Sequence, residues 1–251
     1  TTYLTTRTYF DKEYSVIQVN KQNHLSGADI SSTAYDFANR VTKTRRDHTA
    51  TPPGGSATAH TIRESYTYDH AGRVVYVYHQ INNQTKVLLS KSVYDELDRL
   101  QDKSLHCSNF NGSSLPLTQN YLQSVDYSYN IRGWLTGIND PTTCTTQSGD
   151  NLGDMFKMSL TYESTATGGT AQYNGNISTI EWNISSNTTT CSTRNLYRFS
   201  YDGANRLTGA NSLNWSGSAW TASNNYTESG ITYDLNGNLK TYTRRGLTTG
   251  T

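Results

Sequence analysis

Five aspartates in this sequence directly follow a tyrosine: Asp36 after Tyr35, Asp69 after Tyr68, Asp95 after Tyr94, Asp202 after Tyr201 and Asp234 after Tyr233. A carboxylate repeated in a fixed frame can ligate a metal, work in an acid–base pair, or cap a turn by accepting backbone N–H groups. The frame favours the third use. Three positions after each aspartate stands a residue that tolerates left-handed backbone, namely Asn39, Gly72, Asp98, Asn205 and Gly237. That residue closes a type I turn with a bulge. Arg40, Arg73, Arg99 and Arg206 come next in four of the five copies, and Val or Leu follows in all. These arginines either bind an anionic ligand or lie along a sheet and pair with turn carboxylates of neighbouring copies; the second reading is the expectation.

Other residue types offer less. The histidines are dispersed, with no metal-ligand spacing, and no Gly-x-Ser-x-Gly elbow or Gly-rich phosphate loop occurs. No catalytic residue, metal or cofactor is expected. Cys144 and Cys191 both sit in Thr/Ser-rich loops, so a disulfide between them competes with the reading that Cys107, Cys144 and Cys191 are unpaired thiols. Trp134, Trp182, Trp215 and Trp220 either form a platform for stacking sugars or plug a wall and cover a sheet edge, the latter being favoured.

The elements that position these groups are strands. Upstream of the aspartates the chain alternates, as in Tyr66-Thr67-Tyr68 and Tyr197-Arg198-Phe199-Ser200-Tyr201, which puts aromatics on one strand face. Downstream it re-enters a strand, as in Val74-Val75-Tyr76-Val77-Tyr78. One copy is thus strand, tight turn, strand. Weaker copies fill the gaps: Tyr129-Asn130-Ile131-Arg132-Gly133-Trp134-Leu135, a degenerate Phe10-Asp11 version, and a shortened Tyr173-Asn174-Gly175-Asn176-Ile177. An isolated hairpin is marginal in water, and adding hairpins edge to edge satisfies the exposed backbone. The fold expected is all-β: tandem hairpins in a continuous spiralling sheet, spanning residues 1–251 as one repeat array. Segments 51–56, 109–117, 140–153, 164–170 and 185–193 read as loops outside it.

Composition agrees. Of 251 residues only 33% are hydrophobic, and mean hydropathy is −0.71, yet charged residues are just 16% and net charge is +1, so the high-charge mark of disorder is missing. Nineteen tyrosines and four tryptophans supply the apolar area of a thin β wall, and Tyr hydroxyls can sit in water at its surface. Near-zero charge argues against a nucleic-acid partner. No apolar run is long enough to span a bilayer. The first residue is Thr and no leader is visible, so the chain is expected to be an internal piece of something longer.

The Tyr-Asp-x-x-Gly-Arg-Leu/Val core, repeated from about Phe10 to Leu239, resembles the YD repeat of RHS proteins, found also in teneurins and in the cocoon subunits of insecticidal toxin complexes. Segments 125–135 and 231–239 are especially similar to RHS proteins of Bacteroidetes-type bacteria. The resemblance implies a β ribbon winding into a hollow shell, secreted or displayed on a bacterial surface. Such a shell encloses its own C-terminal cargo or toxin, and neighbouring copies are expected partners in a homo-oligomer or tube. An adhesin-like surface binding glycans is the alternative. Cargo-releasing relatives carry paired aspartates for self-cleavage after the repeats; Asp140-Pro141 is followed by Thr-Thr and does not match, so protease activity is not carried over.

Overall fold

In a computed structural model of the chain, residues 3–143, 154–184, 194–223 and 225–247 are described. Cys144 and Cys191 lie outside them. The chain divides into two compact units, Thr1–Ser124 and Val125–Thr251. Among the described residues every regular element is a strand, and no helix is long and apolar enough to cross a membrane. The fold is all-β and open, as the alternation predicts.

In the first unit eight strands follow one another: β1 (Thr6–Phe10), β2 (Val16–Gln22), β3 (Ala28–Tyr35), β4 (Val41–Ala50), β5 (Thr58–Tyr68), β6 (Val74–Ile81), β7 (Val87–Tyr94) and β8 (Leu100–Cys107). Each pairs antiparallel with the next. β9 (Tyr121–Tyr129) leads into the second unit, which holds β10 (Leu135–Ile138), β11 (Phe156–Thr161), β12 (Thr179–Ile184), β13 (Arg194–Tyr201), β14 (Leu207–Trp215), β15 (Trp220–Ala222), β16 (Glu228–Tyr233) and β17 (Leu239–Arg244). Pairing is again between chain neighbours, except that β14 pairs with both the short β15 and β16.

Register is set at the repeat tyrosine. It pairs with the Val or Leu six residues on, as Tyr35 with Val41, Tyr68 with Val74, Tyr94 with Leu100, Tyr129 with Leu135, Tyr201 with Leu207 and Tyr233 with Leu239. In most of these hairpins the ladder slips by one residue just before that tyrosine, for example between Ala34 and Tyr35 or between Ser200 and Tyr201. A slip of one inverts which side chains share a face, so the bulge fixes where the tyrosine ring points. Aspartate turns close the hairpins β3–β4, β5–β6, β7–β8, β13–β14 and β16–β17, and an Asn130 turn closes β9–β10.

The core is thin. In the first unit Leu88, Cys107 and Tyr121 are buried, with Tyr76, Tyr78 and Phe110 packed on them. Phe110 comes from the loop after β8, and Cys107 donates its Sγ hydrogen to Asn109 Oδ1 at 3.1 Å. In the second unit Leu196 and Leu213 are buried beside polar residues such as Glu181, Asn183 and Thr179. Lys157 is buried as well, its ammonium donating to the Thr143 carbonyl at 2.5 Å. Buried positions are polar as often as apolar, so backbone ladders and ring contacts, rather than an aliphatic interior, hold the strands.

One glycine is required by close approach. A Cβ on Gly27, between β2 and β3, would lie 1.8 Å from the Thr49 carbonyl oxygen, whereas one on Gly203 meets nothing within 4 Å. Gly27→Ala is expected to lower unfolding free energy in urea by about 1–3 kcal/mol, the cost of forcing backbone apart. Gly203→Ala should stay within about 0.5 kcal/mol of the parent.

Candidate functional site

The repeated aspartate turn is the most highly organised constellation in the chain. Asp36 shows its parts. Its backbone N–H donates to the Arg40 carbonyl at 2.9 Å, and Asn39 N–H donates back to the Asp36 carbonyl at 3.0 Å. Asn39 takes a φ of 59°. One carboxylate oxygen, Oδ1, accepts from the N–H groups of Ala38 and Arg40 at 2.9 and 3.0 Å, and Oδ2 accepts from Arg40 Nε at 2.8 Å. Both oxygens are therefore occupied by the residues of their own turn.

The other copies repeat this. Asp95 Oδ1 accepts from Leu97 and Arg99 N–H groups, and Oδ2 from Arg99 Nε at 2.7 Å. Asp202 does the same with Ala204 and Arg206, and Asp69 with the N–H and Nε of Arg73. At Asp234 the side-chain amide of Asn238 replaces the guanidinium, donating to Oδ2 at 2.9 Å. Asn130 caps through Arg132 and Trp134 N–H groups. The left-handed position is filled by Gly72, Asp98, Gly133, Asn205 and Gly237 with φ between 64° and 84°, apart from Asn205 at 63°.

By their place in the repeat the arginines are expected to pair with carboxylates of neighbouring copies. Instead each of Arg40, Arg73, Arg99 and Arg206 pairs with the aspartate of its own turn. The turn folds residue four back over residue zero, so Nε meets the nearest carboxylate. The planar guanidinium then lies over the tyrosine of the next repeat: Arg40 over Tyr68 at 4.8 Å, Arg73 over Tyr94 at 4.7 Å and Arg206 over Tyr233 at 4.6 Å. Arg73 also reaches a neighbouring turn, donating to Asp98 Oδ1 at 2.6 Å.

Tyrosine hydroxyls can sit in water at the surface of a β wall. Several instead donate to a main-chain carbonyl of the preceding repeat, at the first strand residue after its turn: Tyr35 to Val16, Tyr68 to Val41, Tyr94 to Val74 and Tyr233 to Leu207, at 2.5–3.1 Å. Tyr201 donates to Ile177 at 2.8 Å in the same way. Tyr162 does likewise to Leu135 at 2.8 Å, although it is followed by Glu163 and was not singled out from sequence. The available signal was its distance from Leu135, 27 residues, the same as from Val41 to Tyr68. The shortened copy at Tyr173 ends no strand; Tyr173 is exposed in the long connection between β11 and β12.

The tryptophans fall into three packed groups. Trp134 occupies the arginine position of its turn and contacts Tyr162, ring centroids 5.1 Å apart, so an indole takes over the guanidinium's place against the next tyrosine. Trp182 stacks on Tyr197 at 5.3 Å. Trp215 and Trp220 meet edge to face at 5.2 Å, with Arg194 over both rings and paired to Glu181 at 2.5 Å. All four are half-buried. Among the described residues no group of three or more His, Cys, Asp and Glu side chains is disposed to hold a metal.

The turn is electrostatically one-sided. The carboxyls of Asp36, Asp69, Asp95 and Asp202 lie below the ordinary value of 3.8, first because the N–H four residues on donates to them; burial opposes this and the guanidinium adds to it. Asp234 is lowered first by the Asn238 side chain. A carboxyl held low in the fold and normal in the open chain stabilises the fold at any pH above the open-chain value, and that contribution disappears as pH falls through the folded value. Thermal melting temperature is thus expected to be flat from neutral pH to about 5 and to drop below about 4. Replacing Asp36, Asp69, Asp95 and Asp202 together by Asn should lower the neutral plateau and flatten the acid limb. An unchanged acid limb in that variant would contradict the assignment.

These features define a protein of the hairpin-repeat class, an open antiparallel sheet whose repeated site is a structural turn. No protein-family model matches the chain, and no curated protein does. Among solved structures, a chain of the crystal structure of TcdB2-TccC3-Cdc42 matches with a TM-score of 0.30 and 10% identity, over 98% of this chain. The present chain spans 17% of that one.

Proposed function

We propose that this chain is a wall segment of an RHS/YD-type repeat protein, secreted or surface-displayed by a bacterium, whose task is enclosure and mechanical rigidity rather than catalysis. The carrying observation is the lock between consecutive hairpins: a tyrosine of one repeat donates to a carbonyl of the repeat before it while an arginine of that earlier repeat covers its ring. Such a lock spends the conspicuous side chains of the motif on neighbours in the sheet, leaving the wall itself as the product. The carboxylates that could have done acid–base work are saturated by their own turns. What the wall would enclose is its own C-terminal cargo segment of polymorphic-toxin type, or else the wall joins neighbouring copies in a rigid extracellular assembly.

The adhesin-like, glycan-binding alternative has its sequence anchors in the tryptophans, and these are engaged with Tyr162, Tyr197, Arg194 and each other. The shell reading is therefore preferred. Its test is limited proteolysis of the natural full-length product. The segment following the repeats is expected to resist protease at neutral pH and to be cut once acid opens the wall. Equal cutting rates under both conditions would contradict enclosure.

A further inference from the structure

We infer that the first unit carries a binding site for a small organic polyanion, in a concavity of about 360 Å³ on one face of β3–β6. That size is within the range of small-molecule sites. The residues around it include Lys43, Arg45, Arg63 and Lys86, all cations, in a chain whose net charge is only +1.

Register puts these groups on one face. Lys43 pairs with Ser65 and Arg45 with Arg63 across β4 and β5, and Ser65 pairs onward with Tyr78 on β6. Side chains directly opposite in an antiparallel pair share a face, as do residues two apart on a strand. Arg45 and Arg63 face one another across the pair, with the Asp47 carboxylate, which Arg45 holds by two hydrogen bonds, also feeling the charge of Arg63. Lys43 stands about 7 Å further along the same strand, one pleat repeat away. At the far wall Lys86 sits 4.1 Å over the Tyr78 ring, which is itself packed against Phe110.

Internal carboxylates compensate Arg45 and part of Arg63, and leave the two lysines. Asp47 pairs with Arg45 at 2.7 Å. Glu64 contributes to the lining, but its carboxylate accepts from Thr44 Oγ1 and Tyr66 Oη, residues of the opposite face. Arg63 spends one N–H on the Asn82 carbonyl at 2.7 Å. Among the described residues neither Lys43 nor Lys86 has a carboxylate partner. The ligand that fits carries two or more sulfate, phosphate or carboxylate groups, one for each of the lysines and any further one for the free N–H groups of Arg63. Ser65, paired with Lys43 across the strands, adds a hydroxyl to the lining for a neutral polar group. The site stands apart from the aspartate turns and does not depend on the shell reading.

The test is isothermal titration of the folded protein with three probes: a trisulfated heparin-derived disaccharide, inorganic tripolyphosphate and the neutral disaccharide cellobiose. Both anions are expected to bind and to weaken at least tenfold between 50 and 300 mM salt, since the attraction is screened. The better of the two tells whether a sulfated sugar or a phosphate chain is the source. Lys43→Gln and Arg63→Gln are each expected to weaken binding at least fivefold with an unchanged circular-dichroism melt. Absence of binding by either anion, equal binding of cellobiose, or anion binding unaffected by both substitutions in folded protein would overturn the assignment.

Discussion

The structure depends on a carboxylate or carboxamide that accepts two backbone N–H groups inside a five-residue turn. Without it those N–H groups would face each other's dipoles across a tight reversal with no acceptor. With it, residue three on takes left-handed backbone, residue four on is swung over the cap, and the following Val or Leu pairs with the starting tyrosine. Asp and Asn both serve, as Asn130 shows, because the second requirement is an acceptor of the right length rather than a charge. The charge adds the hold on arginine.

From that turn the rest follows by repetition. A hairpin whose turn presents an arginine face on one side and an open carbonyl just past the bulge is complementary to a tyrosine arriving from the next hairpin. The tyrosine meets both at once: its ring lies under the guanidinium and its hydroxyl reaches the carbonyl, as Tyr94 does with Arg73 and Val74. Each contact is modest, since an exposed cation–π pair contributes about 0.5–1 kcal/mol and a net hydrogen bond about 0.5–1.5 kcal/mol. Repeated along a sheet whose interior holds few aliphatic side chains, they decide whether neighbouring hairpins open separately or together.

The turn was legible in the sequence because everything it needs lies within seven residues: Tyr35 to Val41 contains cap, left-handed residue and closing pair. The lock was not. Its acceptor is a main-chain carbonyl, which leaves no mark on residue type, and the distance from acceptor to tyrosine varies from 19 residues for Val16 and Tyr35 to 27 for Val41 and Tyr68 because the intervening loops differ. The arginine's first partner, the aspartate of its own turn, was hidden for a related reason, since spacing along the chain does not tell which of two nearby carboxylates Nε meets; the expected pairing with a neighbouring turn is made by Arg73 with Asp98. Trp134 stands where other copies have arginine, but that an indole contacts the next tyrosine in its stead required coordinates. The cation-lined face of β3–β6 was equally hidden, because Lys43, Arg45 and Arg63 come together only through the register of β4 on β5.

The central claim is that the tyrosine hydroxyl joins one repeat to the one before it. Urea unfolding of Tyr68→Phe, Tyr94→Phe and Tyr233→Phe, beside Tyr14→Phe and Tyr173→Phe at exposed positions, measures this with a single oxygen removed each time. The account predicts a loss of about 0.5–1.5 kcal/mol at each of the three locking tyrosines and none beyond error at the two exposed ones. Equal, negligible losses at all five would contradict it.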